Sequence, residues 1–300
     1  MSGHGYGSFE PEEKRYLLSR PRRVSFTWQP EDEPGPARIT PLGWLLAGVR
    51  GFLLIVILLT GVAILLILRA VERPIYGLRR PVTPFITQIV CRVAFVVLQM
   101  RYRSEGTPMT ARGAVVANHA SWLDIFTLNA RKRIYFVSKS EVAGWPGIGM
   151  MARAVGTVFI ARDRNQAKAQ TALFEGRLLA GHRLLFFPEG TSTDGMRVLP
   201  FKSTLFAAFL TPNLRNVLSV QAVTVIYTAP HGRDERFYGW WGDMSFGAHM
   251  LQVLAAWPQG SVRVIYHPPV RAADFADRKS LAKHLETQVR GAMPPERQHQ

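Results

Sequence analysis

The chain has 300 residues, 47% of them hydrophobic, which allows one large domain or two smaller ones and excludes bulk disorder. Thirty-seven Lys and Arg against 21 Asp and Glu leave a net charge of +16, which favours an anionic partner: phosphate groups, anionic lipid or nucleic acid. Cys91 is the sole cysteine, which excludes an internal disulfide framework and a cysteine-based zinc cluster and agrees with a reducing compartment.

Residues 1–42 carry Pro11, Pro21, Pro30, Pro34 and Pro36 among charges and glycines. Such a composition buries too little apolar surface to order itself and predicts a flexible basic leader. The run Gly51 to Leu68 (GFLLIVILLTGVAILLIL) holds no charge over 18 residues and predicts a membrane helix. A cleavable signal has a shorter apolar core nearer the N-terminus, so this segment is expected to remain in the mature protein. Arg38 and Arg50 precede it and Arg69, Arg73, Arg79 and Arg80 follow it, so the positive-inside rule gives no orientation. Pro84 to Met100 is a second apolar stretch, interrupted by Gln88 and Arg92. It predicts an interfacial or re-entrant helix, or else a core helix of the soluble part, and 43–104 is expected to be the membrane segment.

From Ala111 onward the apolar runs AVVA, IYFV, TVFI, RLLFF, VQAVTVIY and SVRVIYH alternate with stretches long enough for helices. This alternation predicts an α/β domain over 105–293, a mixed central sheet flanked by helices. Asp277 to Met293 has helical spacing, Pro294-Pro295 should end it, and 294–300 is expected to be a disordered tail.

Three loop segments carry the candidate chemistry. Asn118-His119-Ala120-Ser121-Trp122-Leu123-Asp124 follows a strand-like run, which puts His119 in a strand-to-helix loop. With Ser121 as N-cap, Asp124 falls at the third helical position, where its carboxylate accepts from an imidazole N–H. A histidine so oriented removes a proton from an alcohol as that alcohol attacks a thioester, with the nucleophile supplied by the substrate. No G-x-S-x-G elbow occurs, and Cys91 lies in an apolar stretch, so a covalent acyl-enzyme is not favoured. Read alone, the motif fits equally a capping box with His119 as a turn residue. The second segment, Gly156 to Arg164, is a strand that ends at Arg162 and Arg164, whose guanidinium forks suit phosphate or carboxylate; solvated arginines at a strand end fit it too. In the third, Leu185 to Gly195, a strand runs into a loop of glycines and hydroxyls. Backbone N–H groups there suit an anion and Glu189 suits a substrate hydroxyl, although a tight turn explains the pattern as well.

Together the segments resemble the 1-acylglycerol-3-phosphate acyltransferase family, within the wider glycerolipid acyltransferases. The likeness rests on N-H-A-S-W-L-D at 118–124, G-T-V-F-I-A-R at 156–162 and F-P-E-G-T at 187–191, with Lys139, Glu141, Pro146 and Gly149 matching between them. It implies a membrane-bound O-acyltransferase that moves a fatty acyl group from acyl carrier protein (acyl-ACP) or coenzyme A (acyl-CoA) to the free hydroxyl of a lysolipid. It further implies His119 as general base, Asp124 as its orienting partner, and Arg162, Glu189, Gly190 and Thr191 on the acceptor. The family's F-P-E-G-T is often followed by Arg, but Ser192 stands here, which removes one phosphate ligand. Ala222 stands where a later motif usually has proline, and Phe201-Lys202-Ser203 replaces F-K-x-G, leaving Lys202 to supply positive charge. The T-S-T-D-G loop, F-K-S and Gly242-Asp243-Met244 look like the branch that acylates lyso-ornithine lipid, so the acceptor is that lipid or 1-acyl-glycerol-3-phosphate.

Other classes fit less well. A nucleic-acid binder would pack its cations on one helix with aromatics between them, whereas here they are spread along the chain, so the excess is read as serving membrane lipid. A lipid hydrolase would share the His119–Asp124 pair and differ only in admitting water. The eight histidines lack metal-site spacing, so no metal and no cofactor are expected. Trp44 and the Trp240-Trp241 pair suit an interfacial belt or a packed core equally. The expected location is a bacterial-type inner membrane with the catalytic domain in the cytoplasm.

Overall fold

The structure, a computed structural model, describes residues 27–29, 35, 38–145, 147–160 and 167–298. Helix α1 runs from Pro41 to Tyr76 and extends the uncharged run at both ends. It starts where it does because Thr40 Oγ1 accepts from Gly43 N (3.1 Å) and proline occupies the first helical position. Two charges near the ends of the apolar run, Arg50 and Glu72, are buried and bonded inside the protein. Arg50 is buried and donates to Leu254 O (2.7 Å), Ala256 O (2.8 Å) and Gln99 Oε1 (3.0 Å), the first two at the carbonyl end of α7 (Phe246–Ala255). Glu72 accepts from Val82 N (2.6 Å), Thr83 N (3.1 Å) and Thr83 Oγ1 (2.7 Å) and so caps α2 (Thr83–Leu98), the second apolar helix. These bonds close a helical hairpin in which Gly61 lies so near Val90 that a Cβ would come within 2.4 Å of its Cγ2.

Gly43, Ala47, Arg50, Gly61, Leu65 and Glu72 are buried at helical spacing, so protein covers one face of α1 along its length while Phe52, Ile55, Leu59, Ile67 and Val71 stay exposed. Helix α2 packs on α1 and also on α3 (Asp124–Arg131). There Arg92 Nε donates to Ala130 O at 2.7 Å, and the Arg133 guanidinium lies 4.2 Å from the Phe85 ring centre.

The sheet follows β1 (Arg101–Glu105), β2 (Gly113–Ala117), β3 (Tyr135–Lys139), β4 (Val158–Ile160), β5 (Arg183–Phe186), β6 (Ser219–Thr228), β7 (Ser261–Tyr266) and β8 (Val270–Arg271) in the chain. In space the order is β1-β7-β6-β2-β5-β3-β4, with β8 beside β6; β6 pairs antiparallel with β7 and β8, and every other pair is parallel. The mixed sheet flanked by helices is the architecture expected, and the six apolar runs are β2 to β7. Strands β1 and β8 were missed: the former, RYRSE, is mostly exposed and carries no alternating apolar signal. Central β2 is buried throughout because both faces are covered. Val115 and Ala117 face the hairpin, α3 and α7, whereas Ala114 and Val116 face Phe206, Phe209 and the buried Leu281, Leu285 and Val289 of α8 (Arg278–Gly291). Between these elements lie α4 (Ile148–Val155), α5 (Ala167–Leu179) and α6 (Pro212–Arg215).

One expectation needs correction. The tail expected to be disordered forms a turn of helix, α9 (Pro295–Gln298), because Arg297 is buried and donates to Tyr227 O at 3.2 Å. Of the tryptophans that suited a belt or a core equally, Trp241 is in the core and fully buried, while Trp44 on α1 is exposed. Most of the leader lies outside the described residues.

Candidate active site

Parallel strands β2, β5 and β4 release their loops at one edge of the sheet, where open α/β folds place their ligands. Asn118 fixes the end of β2: its Nδ2 donates to Val225 O (2.9 Å) and its Oδ1 accepts from Val225 N (2.8 Å). The chain then turns, and His119 Nδ1 meets Asp124 Oδ2 at 2.7 Å. A carboxylate only accepts, so Nδ1 carries the hydrogen and Nε2 is left as the acceptor nitrogen. The His119 side chain is 22% exposed and that of Asp124 is 0% exposed, so the histidine is reachable and its partner is not.

Asp124 Oδ2 also accepts from Ala120 N (2.9 Å) and Ser121 N (3.0 Å), while Leu123 N donates to Ser121 Oγ at 3.3 Å. Ser121 and Asp124 thus bond each other's turn, but the position expected for them differs: a tighter turn precedes the regular helix, its N-cap is Leu123 with no side-chain cap bond, and Asp124 is its first residue rather than its third. Capping and histidine orientation are one arrangement, with the carboxylate at the positive end of α3. Tyr227, which sequence reasoning missed, donates its hydroxyl to Asp124 Oδ1 at 2.7 Å and lies 2.9 Å from Thr127 Oγ1. Burial and then the Asp124 charge hold the Tyr227 phenol well above its ordinary range, so it stays a donor. Its signal was a lone tyrosine in an aliphatic strand, since a buried phenol needs a partner.

The F-P-E-G-T loop closes over the same histidine. Phe187 stacks on the imidazole at 4.0 Å between ring centres. Glu189 is buried, with Oε1 accepting from His119 N at 2.7 Å and Oε2 from Leu199 N at 2.8 Å. Burial pushes its carboxyl up to about 8 against the pull of those two N–H donors. Gly190 has φ +74°, and a Cβ there would stand 2.6 Å from Lys202 Nζ. His119 O accepts from Thr193 N (2.9 Å) and Ala120 O from Trp240 N (2.8 Å). Trp122 Nε1 donates to His249 Nδ1 at 2.9 Å, and burial lowers His249 to about 4, so this second histidine stays neutral.

Arg162 lies outside the described residues. Strand β4, which leads to it, stands three positions from β2, about 14 Å at the usual strand spacing. Part of the leader reaches the site unexpectedly: Trp28 N donates to Thr191 Oγ1 (3.4 Å), Gln29 Nε2 to Asp243 Oδ2 (2.9 Å), and the Trp28 ring lies under the Arg197 guanidinium at 4.9 Å. Thus His119, Asp124, Glu189, Gly190 and Thr191 gather at one edge of the sheet.

A family model described as Acyltransferase matches residues 100–228. The chain is 55% identical over 263 residues to the lyso-ornithine lipid O-acyltransferase of Rhodobacter capsulatus, covering 87% of this chain and 95% of that one. It is 36% identical to the protein of the same name from Brucella abortus (72% and 83% covered) and 30% identical to a 1-acyl-sn-glycerol-3-phosphate acyltransferase of Neisseria meningitidis (60% and 68% covered). Its fold is similar to the crystal structure of a 1-acyl-sn-glycerophosphate acyltransferase from Thermotoga maritima, with a TM-score of 0.59, 22% identity, and 82% and 92% of the two chains covered.

Proposed function

Because the chain belongs to the acyltransferase family of lysophospholipid and lyso-ornithine lipid acyltransferases, we propose that it moves a fatty acyl group from acyl carrier protein or coenzyme A to the hydroxyl of lyso-ornithine lipid. The observation that carries the mechanism is the 2.7 Å contact between an accessible His119 and a wholly buried Asp124. The acceptor hydroxyl hydrogen-bonds to His119 Nε2 and attacks the thioester carbonyl while Nε2 takes its proton. The imidazolium is held by Asp124, itself held by Tyr227. The tetrahedral intermediate then collapses, the C–S bond breaks, and the imidazolium returns the proton to the departing thiolate.

Arg162, Glu189, Gly190 and Thr191 are assigned to the acceptor side: Arg162 for its anionic group, and Glu189 through the loop that it ties to His119. Ser192 in place of an arginine favours a carboxylate-bearing, zwitterionic head group over a phosphate monoester. Two relatives named for lyso-ornithine lipid, at 55% and 36% identity, support the same acceptor. The hairpin provides the attachment to the inner membrane. Protein covers one face of α1 from end to end, which favours the hairpin lying in one leaflet with the catalytic domain beside it in the cytoplasm, where both acyl donors are found.

Membranes carrying the protein, offered labelled acyl donor with lyso-ornithine lipid and lysophosphatidic acid in parallel, test the proposal. Product from the first acceptor alone is expected, and product from lysophosphatidic acid alone would overturn the acceptor. His119→Ala should abolish transfer with the protein still folded and membrane-bound; normal turnover would refute the mechanism.

A further inference from the structure

At the C-terminal end of α3, whose first residue is Asp124, lies a cleft of about 600 Å³ bounded also by the end of α2 and the start of β1. Arg92, Arg101 and Arg131 line it among Phe95, Val96 and Tyr102, and no Asp or Glu does. Among the described residues none of the three arginines has a carboxylate partner. The bond from Arg92 Nε to Ala130 O fixes one guanidinium in the wall. Like charges gathered without counter-charge favour an anion. The cleft also opens onto an apolar stripe: Phe85, Ile89, Arg92 and Val96 follow helical spacing on the outer face of α2, and Val96 is 73% exposed. An acidic protein surface would match the arginines and leave that stripe unmatched, whereas an amphiphile with a phosphate matches both.

We propose that this cleft binds the phosphate of an anionic membrane phospholipid, with its chains along Phe85, Ile89 and Val96, as a seat separate from the catalytic site. The proposal rests on membrane attachment through the hairpin. The test is binding of the purified full-length protein to phosphatidylcholine vesicles with and without phosphatidylglycerol, for wild type, Arg101→Gln/Arg131→Gln, and Arg278→Gln/Lys279→Gln on α8, which packs on the opposite face of the sheet. Phosphatidylglycerol should strengthen wild-type binding. The cleft variant should lose roughly 30-fold of that gain, the contribution of two cations at an anionic surface. Its binding to phosphatidylcholine alone and its acyl transfer in detergent should be unchanged, and the α8 variant should keep the gain. An undiminished gain in the cleft variant, or an equal loss in the α8 variant, overturns the proposal. So does a raised KM for an acyl carrier protein donor with the lipid gain intact, which would make the cleft a protein dock. Failure of wild type to bind even phosphatidylcholine would instead remove the membrane attachment beneath it.

Discussion

Replacing Asp124 by Asn separates charge from architecture. Oδ2 accepts from His119 Nδ1, Ala120 N and Ser121 N at 2.7, 2.9 and 3.0 Å, and Oδ1 accepts from Tyr227 OH at 2.7 Å. Three donors on one oxygen leave an amide a single favourable orientation, with its oxygen in the Oδ2 position and its NH₂ toward Tyr227. The Tyr227 hydroxyl then turns to accept from the amide and donates to Thr127 Oγ1, 2.9 Å away. Every bond has a neutral substitute, so the fold should lose only about 1–2 kcal/mol as charge-assisted bonds become ordinary ones. Turnover should fall far more, because the imidazolium formed on proton transfer no longer faces a negative charge. A loss on the order of 10³–10⁴ in kcat is expected, the scale for a triad carboxylate made an amide. Asp124→Ala should instead strand two backbone N–H groups and a phenol in a dry interior, at about 1–3 kcal/mol each. The assay is initial-rate acyl transfer in detergent alongside thermal unfolding of the same samples. Kcat within tenfold of wild type for the Asn variant, at matched stability, would refute the catalytic role of the charge; equal destabilisation by Asn and Ala would make the residue purely structural.

Tyr227→Phe removes the donor from Asp124 Oδ1 and should cost about 1.5–3 kcal/mol of stability, the range for a bond to a charged group. Its kcat should drop by roughly tenfold with KM for both substrates unchanged, since Oδ2 still holds the histidine. Unaltered kcat would show that the phenol serves only packing. Glu189 ionises at about 8 in the folded protein against an ordinary 4.5, so the folded state keeps a proton that the unfolded chain gives up. That contribution to stability is complete below pH 4.5 and is lost as pH rises to about 8, by at most about 1.4 kcal/mol per unit. Unfolding temperatures of wild type and Glu189→Gln between pH 5 and 8 should therefore differ in slope, with the glutamine variant flatter. Parallel slopes would mean that Glu189 is ionised throughout, held so by the His119 and Leu199 N–H groups.

Strands β2 to β7 were legible because each carries a run or an alternation of apolar, β-favouring residues, which leaves a local pattern. Strand β1 was not, because its place comes from pairing with β7 rather than from its own side chains. Arg50 read as a boundary of the apolar run, yet it bonds the hairpin to the carbonyl end of α7, and Glu72, which carried no signal, closes the hairpin itself. Nothing local distinguishes a solvated arginine from one spent on helix carbonyls 204 residues away. At the site, the His119–Asp124 spacing was legible as a short-range motif, whereas Tyr227 reaches Asp124 across 103 residues through sheet register. The contact of Trp28 with Thr191 was hidden for another reason, since a proline-rich composition carries no sign of one anchored tryptophan.

Two motifs separated along the chain act as one unit because they meet on a single residue, His119. His119 has its N–H held by Glu189, its carbonyl by Thr193, its ring edge by Asp124 and its ring face by Phe187. A residue clamped on four sides keeps Nε2 in one place, and position matters because a base acts only within hydrogen-bond reach of the proton it takes. Glu189 is buried, and moving it would shift the histidine and the F-P-E-G-T loop together. Substitution at Glu189 should therefore lower kcat as well as raise KM for the lysolipid, whereas substitution of a residue that only grips the head group should move KM alone.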